Sequence, residues 1–448
     1  MKNTYTKFSG FGNILKTHSV VNQDFFFTNE KNENAAPVKI AIRGNGNAYG
    51  DAATNDQGSI FLVNQLPKFI ELNENNGICK VSANMSIGEV ITFLEATDWS
   101  ISVAPGSGSI SIGGCVASDV HGKNHTSAGS FANVTKKIFL ILPNGTRKIL
   151  TKPKSKLWKS TFGGMGLTGL ITEVELQLEK TKCKRFITQK YFTDSFEETI
   201  DLISQLNEKE KSYLLAWTDF TNKDKFGRSI IYRSHRCETR CEPTQIKKLK
   251  TVPSLPISIV NRTTSRALNL SKFHIERLLL TRTKQIQSVP EHKVLFPSDL
   301  AKKWNRVFGP SGLMEYQFIF PIGREKEAEK ILRDRALKIP PALAAIKIFG
   351  MNNQNYLSFP SEGFAVGITF PWKKKYLKRI TEVDEKISNL GFKKYLSKDL
   401  YTHGAIIHEM YPQLKEFLKL KKTIDPQNIL ESDLLKRIQL NEWENLCE

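Results

Sequence analysis

PGSGSISIGGCVASDVHGKNHTSAGSF, residues Pro105–Phe131, is the stretch on which the reading of this chain turns. It holds six glycines, six serines and two histidines, and no run of consecutive large apolar residues. Such a composition cannot build a core. It can bring a backbone very close to a ligand, because glycine lacks a Cβ and tolerates positive φ. Small hydroxyls and free N–H groups suit the oxygens of a phosphate or pyrophosphate. A flexible surface linker has a similar composition, but Ile110, Ile112, Val116 and Val120 are interleaved through the run. That implies a docked, packed loop that cradles a cofactor.

The surrounding chain supplies the scaffold. Its 448 residues with 40% hydrophobic content are enough for two domains with their own cores. The start, MKNTYTKFSG, has no apolar segment of the secretory kind, and no stretch approaches the length of a membrane-spanning helix. Six cysteines, at 79, 115, 183, 237, 241 and 447, are scattered without a C-x-x-C pair and read as ordinary cytosolic thiols. A net charge of +20, from 65 Lys+Arg against 45 Asp+Glu, attracts nucleic acid, anionic lipid or phosphorylated substrates without choosing among them.

In order, Val38–Ile42 reads as a strand entering RGNGNAYGDAA (43–53), a second candidate phosphate loop. Ser59–Val63 and Ile78–Ala83 read as strands, Ile87–Thr97 as a helix, and Ile101–Ala104 as an apolar lead into the glycine-rich run. Lys137–Leu142 and Arg147–Leu150 flank a Pro143–Asn144–Gly145 hairpin turn. Leu157–Phe162 reads as a short helix. A third loop, GGMGLTG (163–169), contains a formal G-x-G-x-x-G at Gly164, Gly166 and Gly169. A dinucleotide fingerprint follows a strand and opens a helix. Here the glycines precede LITEVELQL, which alternates like a strand, so no Rossmann unit is expected.

Beyond Arg185, apolar strands (Tyr213–Phe220, Ser229–Arg233, Leu313–Pro321, Ala344–Gly350, Phe364–Pro371) alternate with amphipathic helices (Ser195–Leu206, Glu325–Leu337, Lys375–Leu390). This predicts a second domain on an antiparallel sheet. The basic segment Gln245–Thr283 reads as a long mobile loop or lid with apolar patches at Leu255–Val260 and Leu278–Leu280, a composition that also suits a membrane-surface contact. Thr402–Leu440 reads as helical, broken at Asp425–Pro426. The expected class is α+β, with a flavin-type domain over 1–183 completed by 393–448, and a substrate domain over 184–392.

Three glycine-rich loops without a Rossmann unit point to FAD held by a p-cresol methylhydroxylase/vanillyl-alcohol-oxidase type of fold. RGNGNAYGD (43–51), the 105–131 run and FGGMGLTGLI (162–171) resemble the FAD loops of the decaprenylphosphoryl-β-D-ribose 2-oxidase family. WNRVFGPSGLMEYQFIFP (304–321), IKIFG (346–350), YLSKD (395–399) and HEMYP (408–412) are similar to that family's substrate-domain and C-terminal motifs.

The resemblance implies oxidation of a secondary sugar hydroxyl to a ketone, with hydride passing to FAD. The sugar implied is a polyprenyl-phosphate-linked ribose oxidised at its 2-OH, the first half of a two-enzyme epimerisation that a separate NAD(P)H-dependent keto-reductase completes. Such chemistry needs a group to take the hydroxyl proton and a cation near the reduced ring. Lys398 matches the family's active-site lysine, and His121 a flavin-adjacent histidine with a catalytic part. The cofactor-binding set it implies is Arg43, Gly44, Asn45, Gly46, Asn47, Ala48, Tyr49, Gly50, Asp51, Gly106, Ser107, Ser111, Ile112, Gly113, Gly114, Ser118, Asp119, Val120, His121, Gly122, Ile171 and Tyr395. The substrate set is Tyr49, Lys123, Glu315, Tyr316, Gln317, Lys347, Ala365 and Gly367. Superfamily members that attach FAD covalently carry histidine in an RGxGH pattern. This chain has Asn47 there, so non-covalent FAD is expected. Ala365 and Gly367 replace an asparagine and a cysteine of mycobacterial members, and Glu315 replaces a glutamine, which implies a roomier, differently charged pocket.

Other readings predict different things. An oxidase of soluble alditols or aldonolactones would use the same fold. A nucleic-acid-binding protein would interleave basic residues with exposed aromatics, a pattern absent here. His235, Cys237 and Cys241 have partial metal-ligand spacing with no fourth partner, and read as incidental. The expected setting is cytoplasmic, with peripheral contact at the inner membrane face.

Overall fold

The computed structural model describes residues 5–22, 38–151, 155–209, 212–241, 249–282, 286–336, 339, 341–351 and 353–444. Cys447, residues 245–248, Thr283 and Leu337 lie outside them.

Two hydrophobic cores organise the chain. The first lies under a five-stranded antiparallel sheet, in the order Ile70–Asn73, Ile78–Ser82, Leu170–Gln177, Thr135–Ile141, Arg147–Thr151. The Ile87–Leu94 helix packs on it through Ile87, Val90, Ile91 and Leu94, the i, i+3, i+4, i+7 set. Ser86 and Glu89 close a capping box at its start. A smaller four-stranded sheet pairs Ile40–Arg43 and Thr17–Asn22 in parallel with Ser59–Leu62. Ile101–Ala104 is buried but not a strand; the local pairing is the short Trp99–Ser100 strand with Glu179–Lys180. The GGMGLTG loop enters the Leu170–Gln177 strand, so its glycines are not a dinucleotide fingerprint.

The second core belongs to an eight-stranded antiparallel sheet ordered Ile286–Pro290, Arg185–Thr193, Arg228–Arg236, Tyr213–Asp219, Leu343–Phe349, Gly363–Pro371, Leu313–Phe320, Lys393–Lys394. Helices Phe196–Lys209, Glu325–Ala336 and Leu377–Asn389 cover one face, where Ile203, Leu332 and Ile380 meet Ala216, Phe318, Ile346 and Val366. Because side chains alternate along a strand, the other face carries Glu315, Gln317, Lys347, Ala365 and Gly367. The register sets Gln317 opposite Gly367 and Lys347 opposite Ala365.

Two expectations are corrected. Cys183 and Cys241 form a disulfide, where free thiols were expected; only Cys79, Cys115 and Cys237 are free among the described residues. The pairing crosses 58 residues and joins two chain segments brought together by the Arg185–Thr193/Arg228–Arg236 ladder, a juxtaposition that no cysteine spacing reveals. It also removes Cys241 as a thiolate ligand beside His235 and Cys237. The basic 245–283 segment is not one long loop: Arg262–Arg282 is a 21-residue helix. Ser265, Asn269 and Phe273 are its buried stripe at helical spacing, and the sequence pattern hid it because two of these three are polar.

The C-terminal helices Gly404–Met410, Leu414–Ile424 and Asp433–Glu444 bring the chain back to the glycine-rich loops. Gly50 lies against the Asp399 backbone, and a Cβ there would overlap the Asp399 carbonyl. Gly50→Ala is therefore expected to force the two loops apart. It should destabilise the fold by about 1–3 kcal/mol, as overpacking does, read as a lowered urea midpoint.

Candidate active site

The glycine-rich loops are stitched together before any ligand is considered. Asn45 and Asn47 each donate a side-chain amide hydrogen bond to the Ser109 carbonyl, at 2.8 and 2.9 Å, and the Ser109 hydroxyl donates to Asn47 Oδ1. Arg43 turns back to the Ser9 and Ala53 carbonyls and braces the loop from behind. Ser111 caps the Ile112–Ala117 helix, holding Gly114, while Ile112 and Gly113 donate their N–H groups to Met85 and Ala83. Asp299 accepts from the Ser107 hydroxyl at 2.6 Å and the Gly108 N–H at 2.7 Å, and the Ser298 N–H donates to the Gly106 carbonyl. Asp299 carries no motif and was not legible in the sequence.

Several residues of the expected cofactor set are occupied by protein partners. Asp51 pairs with Arg437, and Asp119 accepts from Asn353, Asn355 and Ser358 side chains and from the Ala132 N–H. Both carboxylates order the loops instead of facing a ligand. Ile112, Val120 and Ile171 pack in the first core, and Ser118 gives its carbonyl to the Tyr395 hydroxyl at 2.9 Å.

Where the loops meet the open face of the large sheet, the charged groups converge. Lys398 Nζ lies 3.2 Å from Glu315 Oε1 and 3.7 Å from the centre of the Tyr49 ring. Burial pushes the Lys398 amine down and Glu315 partly restores it. Burial and then Glu315 hold the Tyr49 hydroxyl well above its ordinary value. Lys347 has its amine brought down to about 8 by burial and then by Lys398. Lys123 is buried, donates to the Leu295 carbonyl at 2.7 Å, and is pushed well down by burial and then by Lys347. Three lysines thus gather around Glu315, with the Asp299 carboxylate also acting on Lys123 and Tyr49.

His121 sits among Phe349, Phe359 and Tyr395, with Nε2 3.4 Å from the Gln317 side-chain nitrogen. Burial, reinforced by Lys347, His125, Lys398 and Lys123, drives its pKa well below 6.5. It is a neutral hydrogen-bonding group at physiological pH. His125 accepts from the Gly350 N–H and is a structural residue.

One substrate expectation is overturned. Tyr316 faces the helix-covered side of the sheet, fully buried, and its hydroxyl donates to Asp384 at 2.5 Å. Strand alternation puts it opposite its neighbours Glu315 and Gln317, which face Lys398 and His121. Ala365 packs with Phe349, Phe359 and Tyr395, whereas a Cβ at Gly367 would meet nothing closer than Glu315 Oε1 at 3.6 Å. A Cβ at Gly367 would therefore sit in ordinary contact with the Glu315 and Gln317 side chains.

The residues present fit FAD. The N–H groups of Asn45, Gly46 and Asn47 meet no protein acceptor among the described residues. Buried His121 Nδ1 and Asn124 Oδ1 have no protein partner, as atoms awaiting a ligand or water would. Gly44 passes so close to Ser111 that a Cβ would strike its hydroxyl.

Residues 32–151 match the FAD binding domain family, so the fold and the loops define an FAD-dependent oxidoreductase. The chain is 30% identical to decaprenylphosphoryl-β-D-ribose oxidase of Mycolicibacterium smegmatis over 415 residues, covering 90% of this chain and 89% of that protein. It belongs to the decaprenylphosphoryl-β-D-ribose oxidase family. An uncharacterised Streptomyces coelicolor protein encoded upstream of mprA is 25% identical over 76% of this chain and 96% of its own length.

Gly44→Val should displace the Ser111 cap and leave the protein colourless after purification. Its flavin absorbance per protein is expected to fall by about tenfold or more, corresponding to about 1.4 kcal/mol of lost affinity.

Proposed function

We propose that this oxidase acts on the 2-OH of a polyprenyl-phosphate-linked pentose, giving the 2-keto sugar that a separate NAD(P)H-dependent keto-reductase then reduces on the way to the arabinose epimer. The observation that carries the reading is the Lys398–Glu315 pair over Tyr49, set among Lys347, Lys123 and Gln317 beside the FAD loops. The glycine-rich loops would hold FAD non-covalently, since Asn47 stands where superfamily members that attach it carry histidine, and FAD bound there would supply the hydride acceptor for the carbinol carbon.

The chain's own residues do the rest. Lys398, whose amine burial brings down from its ordinary value, takes the hydroxyl proton at Nζ, and Glu315 Oε1 stabilises the ammonium that results. The Tyr49 face next to Nζ holds the cation that forms. His121, neutral, supplies a fixed hydrogen-bonding edge and shares Gln317 with the substrate's hydroxyls. Lys347 gives the anionic linkage of a sugar phosphate its counter-charge, with Lys123 held beside it on the Leu295 carbonyl.

With an artificial electron acceptor, turnover is expected on polyprenyl-phosphoryl ribose and not on free ribose or alditols; equal rates on free alditols would overturn the substrate reading. Lys398→Met should retain flavin and lose about 10²–10⁴-fold in kcat. Because Glu315 raises the Lys398 pKa, Glu315→Gln should lower it. The rise of kcat/KM with pH, as Lys398 deprotonates, then moves to lower pH in that variant.

A further inference from the structure

The large sheet carries a second feature on the same face as the pocket. The Arg262–Arg282 helix lies across the outer strands, with Phe273 buried against Trp217 and Ile230 and with Lys272 over the Trp217 and Tyr232 rings. Trp217 is directly opposite Ala345, two residues from Lys347. The helix therefore borders the substrate pocket, and only its inner stripe is covered.

The rest of this region exposes several apolar side chains. Ten of the eighteen large hydrophobic side chains exposed among the described residues fall between Leu249 and Leu300. On the helix, Leu268, Ile275 and Leu279 are 66%, 55% and 51% exposed and share one flank by their seven- and four-residue spacing. Ile257 and Ile259, 70% and 54% exposed, sit in the segment that leads into the helix cap at Asn261. Soluble surfaces rarely gather apolar side chains in this way without an occupant. Apart from Asp194, which lies 3.8 Å from Arg277, the charge around them is basic. Arg262, Arg266 and Arg277 are exposed on the helix, and Lys250, Lys302 and Lys303 are exposed beside the Ile257 segment, where the Thr251↔Lys302 bridge and the Ile259–Val307 hydrogen bond fix it. Glu276 is the one acid in the sequence from Leu249 to Arg282, and it is consumed by Lys190, Lys272 and Tyr232.

We propose that this face docks on an anionic lipid bilayer, with the leucine and isoleucine flank inserted at the headgroup–acyl boundary and the arginines and lysines against the phosphates. No helix among the described residues is long and apolar enough to cross a membrane, so the contact is interfacial. An apolar flank beside a basic one is what such a contact requires. The assignment deepens the lipid-linked substrate reading, since it sets the pocket mouth at the surface that holds the lipid, but its test is independent of turnover.

The holoprotein is to be floated with vesicles of phosphatidylcholine alone and of phosphatidylcholine with phosphatidylglycerol. Co-flotation with the anionic vesicles alone is expected. Leu268→Ser/Ile275→Ser/Leu279→Ser should reduce it by about tenfold or more, and Arg262→Gln/Arg266→Gln by about fivefold per charge at low salt. Flavin content and reduction by a water-soluble sugar phosphate should be unchanged in both. Failure of the wild type to float with anionic vesicles, or equal flotation of the triple variant, overturns the proposal. A wild-type dimer that becomes monomeric in the triple variant overturns it in favour of a second copy of the chain. If flotation holds while no polyprenyl-phosphate sugar is oxidised, the surface assignment stands and the substrate reading falls.

Discussion

Arg437 holds the protein's chemistry in place. Its guanidinium binds both oxygens of Asp51 at 3.0 Å, Asp399 at 2.6 Å and the Thr402 carbonyl. Asp51 ends the first glycine-rich loop, and Asp399 follows Lys398. One side chain from the Asp433–Glu444 helix therefore welds the first glycine-rich loop to the turn that carries Lys398. Lys394 completes the arrangement from the sheet side, reaching Asp384, Asp399 and Thr402 at 2.7–3.1 Å. These charges are almost wholly buried. Removing one partner strands the others in a low-dielectric interior, which costs far more than a surface pair contributes. Asp399 is accordingly held far below the ordinary carboxylate range despite its burial, by Arg437 and Lys394.

From that clamp the site geometry follows in steps. The Tyr49 N–H donates to the Ser397 carbonyl, so the Tyr49 ring and Lys398 are fixed relative to one another before substrate arrives. The Tyr395 hydroxyl donates to Ser118, tying the same turn to the second glycine-rich loop. Glu315 then meets Lys398 from the sheet. The Leu313–Phe320 strand serves two purposes through alternation: Glu315 and Gln317 face the chemistry, while Tyr316 and Phe318 anchor the strand in the helix-covered core. The Tyr316 hydroxyl closes back on Asp384, the carboxylate that Lys394 also uses.

Much of this was legible in the sequence, and the exceptions have physical causes. The three glycine-rich loops were legible from composition as a phosphate-type cradle, and their resemblance to a family of flavoenzymes made the cofactor FAD. The YLSKD motif marked Lys398 through its resemblance, and alternation around Lys347 put that lysine opposite Ile346 and Ile348. Tyr316 was misplaced because matching a motif ignores which face of a strand each residue takes. Asp299, Arg437 and Lys394 were missed because each acts across hundreds of residues or through the tertiary fold, without a local pattern. The Cys183–Cys241 bond was missed for the same reason. The Arg262–Arg282 helix was hidden by its polar inner stripe of Ser265 and Asn269, which inverts the usual amphipathic pattern.

The most direct test is anaerobic single-turnover reduction of the bound flavin by polyprenyl-phosphoryl ribose in the wild type and in Arg437→Lys. Lysine keeps one positive charge in the clamp but cannot span Asp51, Asp399 and Thr402 with a planar fork. Wild-type flavin is expected to bleach rapidly. The variant should remain yellow and folded yet bleach about tenfold or more slowly, corresponding to about 1.4 kcal/mol on the barrier. Bleaching of the variant at the wild-type rate would contradict the clamp as the determinant of Lys398 geometry, and a wild-type flavin left oxidised by this sugar would contradict the assigned reaction.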